Sequence, residues 1–198
     1  MNAPRLVVVG ASWGGVDALQ IVLGALPATF DAAVLVVLHR AQGVRDVLQH
    51  VLQRSCSLPV GDVEDKQPIL PGRVYLAPAG YHVHVEDAHF GLSVDDPVHH
   101  ARPSIDVAMS TAAEALGPKV TGVVLTGAGR DGAEGLALIK RLGGCAIVQE
   151  PSDAARADLP RAALDAVQPD RVLALEEIAT WLAERGGGAE VNGGASPD

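Results

Sequence analysis

The sequence predicts a doubly wound α/β fold: a mainly parallel sheet between two helical layers, Rossmann-like in its three-layer arrangement, with one antiparallel β-hairpin inserted. Three observations carry that expectation. Short unbroken runs of Val and Leu recur along the chain, as strands buried on both faces require. Segments with apolar residues at helical spacing alternate with those runs, which is the pattern of βαβ units. Aromatic residues make up 3% against 48% hydrophobic, so the interior is built on Val, Leu and Ala and suits parallel strands under helices better than a β-sandwich.

Taken in order, Leu6-Val7-Val8-Val9 is the first strand and ends at Gly10; a glycine-rich turn leads into a helix over 16–23. The run AVLVVL over 33–38 is the second strand and stops at His39. Val44, Val47, Leu48, Val51 and Leu52 share one helical face, predicting an amphipathic helix that ends near Arg54. Residues 73–77 read as a further strand. The stretch 81–94 breaks the alternation: Val83 and Val85 alternate with His82 and His84, Glu86-Asp87-Ala88 turns, and 90–94 returns as the second arm of a hairpin. Ser104 is placed to N-cap a helix through Leu116. Strands over 121–125, 146–149 and 172–175 then alternate with helices over 132–142, 159–167 and 176–185. Residues 186–198 are Gly, Ala and polar without periodicity and read as a disordered tail, which puts the domain at 1–185.

Composition narrows the function classes. A chain of 198 residues fits one sizeable domain, and 15 basic against 24 acidic residues give a net charge of −9. Such a surface repels phosphate backbones, which argues against nucleic-acid binding as the main activity. The apolar runs are strand-sized, well short of the roughly 18 residues of a membrane span. Met1-Asn2-Ala3-Pro4-Arg5 has no signal-peptide pattern, and Cys56 and Cys145 form neither a C-x-x-C pair nor a disulfide framework. A reduced, cytoplasmic setting is expected.

In doubly wound sheets ligands sit beyond the carboxyl ends of the strands. Three such ends bear reactive residues here. Gly10-Ala11-Ser12-Trp13-Gly14 matches G-x-S-x-G, a sharp turn that exposes a serine hydroxyl; His39 ends the second strand; and Asp131 lies in the glycine-rich loop 126–132. A serine needs a base, and an imidazole needs an acidic partner to hold its tautomer, so Ser12, His39 and Asp131 fit nucleophile, base and orienting acid. Each has a plainer alternative: a helix cap at Ser12, a hydrogen-bonded edge residue at His39, an N-cap at Asp131. A dinucleotide site is disfavoured, since Ser12 occupies the slot where G-x-G-x-x-G needs glycine. The backbone N–H groups of Trp13 and Ala128 are candidate oxyanion donors. Arg102 and Arg130 are candidate substrate-binding residues, the latter by steering an acidic segment. His82 and His84 share one hairpin face, near His89, His99 and His100, but no Cys or carboxylate set completes a metal site; a polar hairpin face is expected, with His82 near the pocket rim. Ile178, Trp181 and Leu182 are core residues of the last helix.

Several motifs then occur in order: Gly10-Ala11-Ser12-x-Gly14-Gly15, His39, Leu70-Pro71-Gly72 with Tyr75-x-Ala77-Pro78, Arg102-Pro103-Ser104-x-Asp106, and Leu125-Thr126-Gly127-x-Gly129-x-Asp131-Gly132-Ala133-x-Gly135. Together they resemble the catalytic domain of CheB-type protein-glutamate methylesterases over nearly the whole chain. The resemblance implies a serine hydrolase that removes methyl groups from glutamate γ-methyl esters of chemoreceptor-like proteins and releases methanol, some members also deamidating glutamine. It implies Ser12 as nucleophile, His39 as general base and acid, Asp131 as the orienting group, and neither metal nor organic cofactor. Its partners would be a methylated chemoreceptor or related sensory protein, with a separate receiver or methyltransferase protein as a further candidate. Trp13 stands where the family has a small hydroxyl residue, His39-Arg40-Ala41 replaces His-Met-Pro, and Ala128 replaces methionine, differences that fall on pocket walls. The family's full-length enzyme carries a receiver domain ahead of this one; here Leu6 opens the catalytic domain at once, so a stand-alone domain, regulated by another protein or not at all, is expected. The competing expectations are a catalytically idle module that binds a receptor or methyltransferase, and a nucleotide-binding protein.

Overall fold

The structure is a computed structural model and describes residues 4–40 and 47–185. Nine strands and six α-helices follow in the order β1 (Leu6–Ala11), α1 (Gly15–Gly24), β2 (Ala33–Leu38), α2 (Leu48–Ser55), β3 (Val60–Asp62), β4 (Arg73–Leu76), β5 (His82–Glu86), β6 (His89–Ser93), α3 (Ile105–Leu116), β7 (Val120–Val124), α4 (Ala133–Arg141), β8 (Cys145–Gln149), α5 (Asp158–Ala166), β9 (Arg171–Leu173) and α6 (Leu175–Arg185). Seven strands form one sheet in the order β3-β4-β2-β1-β7-β8-β9, parallel throughout, and β5-β6 form a separate antiparallel pair. The predicted doubly wound α/β fold with an inserted hairpin is the fold observed.

Why the strands read as unbroken apolar runs is visible in the two cores. Side chains of a strand alternate between faces. Val7, Val9, Val34 and Val36 point to one side, where Leu19 and Val22 of α1, Leu52 of α2, and Ile178 and Leu182 of α6 cover them. Leu6, Val8, Leu35 and Val37 point to the other, under Ile105 and Met109 of α3, Leu136 and Ile139 of α4, Leu159 of α5, and the hairpin. Each such side chain taken out of water contributes about 1.5–3 kcal/mol. No helix among the described residues is long and apolar enough to cross a membrane.

Three details differ from expectation. The edge strand β3 was not anticipated: it is three residues long, with Gly61 in its middle, too short to show a period. On the histidine face of the hairpin His84 and Glu86 are half-buried and exposed, but His82 is not at the surface. His82 is 1% exposed, enclosed between Ser104 N–H and Asp96 O, each 3.2 Å from its ring. His82 is therefore a buried residue and not one of the pocket rim. Helix α2 begins at Leu48; Val44, and the tail expected over 186–198, lie outside the described residues.

From β1 the chain passes to β2, then to the edge strand β3 and back to β4 between β2 and β3, before it crosses to the other side of β1 and builds outward through β7, β8 and β9. The strand order reverses at β1/β7, and a crevice opens at such a point beyond the carboxyl ends. The hairpin is fastened to the domain by Phe90, 1% exposed, whose ring meets Tyr75 edge-on at 4.8 Å between centroids. Phe90→Ala is expected to lower the unfolding free energy by about 3–5 kcal/mol; urea denaturation checks this, and a loss under about 1 kcal/mol would show that the hairpin is not part of the cooperative unit.

Candidate active site

The parallel ladder fixes the first two residues of the site. Ala11 pairs with Leu38, so Ser12 and His39 each follow the last rung of neighbouring strands, and His39 N–H donates to Ala11 O at 3.2 Å. The loop after β7 closes the other side: Ser12 N–H donates to Thr126 O at 3.0 Å. Thr126 is itself clamped, its N–H donating to Gln149 Oε1 at 2.8 Å and its hydroxyl to Trp13 O at 3.0 Å. Gly127 must lack a side chain, since a Cβ there would lie 2.7 Å from Ser12 Cβ and 2.4 Å from Leu159 Cδ1. Ser12 is half-buried and its Oγ makes no hydrogen bond with any described residue.

Asp131 is the densest point of the site. Its carboxylate is 2% exposed and accepts from four donors: His39 Nε2 at 2.7 Å and Ile105 N–H at 2.6 Å on Oδ2, Ser104 Oγ at 2.8 Å and Asp106 N–H at 3.0 Å on Oδ1. All lone-pair directions of an ionised carboxylate are thereby used. The alternative of an N-cap for its own helix is not what forms: α4 is preceded by Gly132 with no side-chain cap bond, and Asp131 instead meets the first N–H groups of α3. Gly132 has φ +99, and a Cβ there would lie 2.6 Å from Ile105 Cγ2, so glycine is what lets α3 come down onto the carboxylate. Ser104 caps α3 as expected, accepting from Val107 N–H at 3.3 Å while donating to Asp131. Burial pushes the Asp131 carboxyl up, but the hydrogen bonds from His39, Asp106, Ile105 and Ser104 outweigh it and hold the group below the usual carboxylate range. The neighbouring Asp106 is pushed the other way, chiefly by burial and further by the Asp131 charge, against the Gly135 N–H that steadies its Oδ1.

With His39 Nε2 on Asp131, Nδ1 is the ring nitrogen left for a substrate or for Ser12. The N–H groups of Trp13 and Ala128 donate to no described residue, and both residues are exposed, Trp13 at 72%. A serine, an imidazole held on a buried carboxylate and unengaged backbone donors are the parts of an acyl-transfer site. His39 opens into a cavity of about 530 Å³ that Arg102 also lines. Arg102 donates through Nη1 to the carbonyls of Val94 and Asp95 at 2.7 and 3.0 Å. Arg130 lies apart: it is exposed, sits 3.4 Å from Glu134, and lines a different hollow with Asp165.

Sequence reasoning missed how Asp131 is held. Ser104 was singled out only as a cap, and His82, whose Nδ1 accepts from Ser104 N–H at 3.2 Å while Nε2 donates to Asp96 O at 3.2 Å, only as part of a polar hairpin face near the pocket rim. The one available signal was the Arg102-Pro103-Ser104-x-Asp106 motif.

Comparison with known proteins bears on the family and the fold. The family model described as CheB methylesterase matches residues 7–182. A Leptospira interrogans protein named for protein-glutamate methylesterase/protein-glutamine glutaminase is 41% identical over 87% of this chain and 90% of its own length. Protein-glutamate methylesterase/protein-glutamine glutaminase 1 of Carboxydothermus hydrogenoformans is 39% identical over 92% of this chain but 55% of its own, so the chain spans about half of that relative. The crystal structure of the Thermotoga maritima CheB methylesterase catalytic domain superposes with a TM-score of 0.88 at 31% identity, covering 92% of this chain and 98% of that one.

The lowered pKa of Asp131 makes a signed prediction. A carboxyl held lower in the folded state adds stability above its unfolded value, about 3.9, and that stability is lost as pH falls through the folded value. Asp131→Asn is expected to be less stable than the parent by about 1–3 kcal/mol at pH 7, with the gap narrowing below about pH 4. Urea titrations across that range test this; a gap independent of pH would contradict the assignment.

Proposed function

The chain belongs to the CheB methylesterase family, and from that premise we propose that it hydrolyses glutamate γ-methyl esters on a methylated sensory protein of the chemoreceptor type, releasing methanol, in the cytoplasm. The catalytic domain is taken as residues 1–185, with Ser12, His39 and Asp131 as its triad. The observation that carries this reading is the 2.7 Å contact between His39 Nε2 and the buried Asp131 carboxylate, one residue beyond the rung that sets His39 beside Ser12.

Ser12 Oγ attacks the ester carbonyl as its proton passes to His39 Nδ1, and the imidazolium formed faces a carboxylate that is already ionised. The oxyanion is received by backbone N–H groups, for which Trp13 and Ala128 are the candidates because neither N–H donates to a described residue. Collapse breaks the C–O bond to the methoxy group, which takes the proton from His39 and leaves as methanol. Water then attacks the glutamyl-serine ester with His39 as base; Ser12 recovers its proton and the glutamate carboxylate is released. The unpartnered Ser12 hydroxyl suits this sequence, since catalytic hydrogen bonds of a nucleophile commonly tighten only once substrate is in place. The same steps with ammonia as the leaving group give glutamine deamidation, which the relatives' names include. Arg102 belongs to the pocket wall that a receptor segment would meet. Arg130, paired with Glu134, has its place outside that pocket and at most steers from a distance.

Methanol release from methyl-labelled receptor membranes is expected from the native chain and is expected to fall about 10³-fold or more in Ser12→Ala. Release that persists in the variant would remove Ser12 as nucleophile. No release from the native chain, together with no labelling of Ser12 by a serine-directed phosphonate, would favour an idle binding module. Trp13→Thr is expected to change the ratio of kcat/KM between a small methyl ester and the receptor ester, because the exposed indole stands beside the nucleophile; an unchanged ratio would show that the indole does not touch substrate.

A further inference from the structure

One wall of the cavity is made by a turn whose residues do not suit it. Val98 and Ala101 exchange two backbone hydrogen bonds, 3.1 and 2.9 Å, around His99 and His100. Both histidines have positive φ, 50 and 62°. Two consecutive left-handed residues in a two-residue hairpin are the type I′ geometry, where Asn-Gly fits and β-carbon-bearing residues are strained. The turn therefore holds two imidazoles in a conformation that they do not favour, and both line the cavity into which His39 opens.

The two histidines are differently placed. His99 Nε2 lies 3.3 Å from Oδ2 of Asp106, a buried oxygen with no well-formed hydrogen bond of its own, so His99 is braced against the base of α3. His100 is exposed, and no described residue hydrogen-bonds to it. Arg40 and Arg102 line the same cavity, where none of the described lining residues is acidic; Arg40 is paired with Asp62 at 3.4 Å and donates to Ala77 O at 2.8 Å. Arg102 donates to main-chain carbonyls, not carboxylates, so its charge is not neutralised by the contacts that hold it. The chain as a whole carries nine more acidic than basic residues, whereas on this wall the fixed positive charge of Arg102 meets no carboxylate among the described residues. A field of that sign selects a negatively charged ligand.

We propose that the His99-His100 turn and Arg102 form a carboxylate-recognition wall, which makes the preferred substrate an acidic peptide segment bearing a carboxylate side chain close to the group attacked. This rests on the esterase reading and specifies its substrate. A neutral imidazole has one N–H to donate, so His100 can meet a carboxylate oxygen in either protonation state, with Arg102 supplying the fixed positive charge.

The test is equilibrium binding to the full chain carrying Ser12→Ala, which removes turnover. Two fluorescent peptides are compared, each with glutamine in the reacting position and differing only in whether the neighbouring polar residue is Glu or Gln. The Glu peptide is expected to bind about fivefold more tightly at low salt, with the difference shrinking as salt rises. His100→Gly relieves the left-handed backbone, so it is expected to raise Tm by about 2–4 °C while bringing the two affinities to within about twofold. A turn that serves structure alone would gain the Tm and leave binding untouched. His100→Asn, which also tolerates the left-handed region, repeats the comparison should glycine loosen the loop. Equal affinities in the parent, or a preference retained in both His100 variants, would overturn the wall. Methanol release from the chain with native Ser12 is read in parallel: release without a binding preference removes the wall and leaves the esterase, and a preference without release does the reverse.

Discussion

The site hangs on one buried carboxylate. Asp131 gathers a side chain from the end of β2 and three donors from the start of α3, and every one of these would be left unpaired if it were gone. Orphaned donors in a site 2% exposed are expensive, so the interaction constrains far more than itself. It sets how near α3 comes to the sheet, which in turn requires glycine at 132 and leaves Ile105 wedged between sheet and loop. It also fixes which nitrogen of His39 faces away from the carboxylate. The α3 helix end contributes as well, since two N–H groups at a helix start carry a partial positive charge that favours the ionised acid.

A carboxylate shared in this way is a compromise. A carboxylate that served His39 alone would place its whole charge beside the imidazole, whereas here each oxygen also satisfies α3. What is gained is rigidity: an acid with four donors cannot rotate, and the imidazole that leans on it inherits that fixed orientation. Asp106, in the first turn of α3, bears the consequence. It is buried beside the Asp131 charge, and both press its pKa upward.

Much of the fold was legible because parallel strands buried on both faces leave an unbroken apolar run, and β1 and β2 do so plainly. Strand β3 left no such trace: an edge strand of three residues with a central glycine needs only one buried position. The candidate site was legible in its strand ends, since the chain's reversal at β1/β7 directs attention to the residues that follow β1, β2 and β7. What supports those residues was not. The partners of Asp131 come from α3, 25 to 27 residues earlier, and no local pattern links a loop aspartate to another helix's first turn. His82 misled for a related reason. Its polar ring suggested solvent, while its environment is set by a hydrogen bond to Ser104 that only the tertiary fold creates. Arg130 shows the opposite hazard, that adjacency to Asp131 along the chain says nothing about where a long side chain turns.

The order of strands in the sheet has a bearing on how the molecule comes into being. Strand β1 sits in the centre, yet its two neighbours are made at very different times: β2 follows almost at once, whereas β7 comes after the hairpin and α3. A growing chain emerging from the ribosome thus presents β1 with one flank of hydrogen-bonding groups bare, an open apolar edge of the kind that invites pairing with other chains. His39 and Asp131, 92 residues apart, meet only when that edge is closed. Closing it and bringing His39 to Asp131 are the same event, so the nascent chain carries that open edge until the imidazole–carboxylate pair can form.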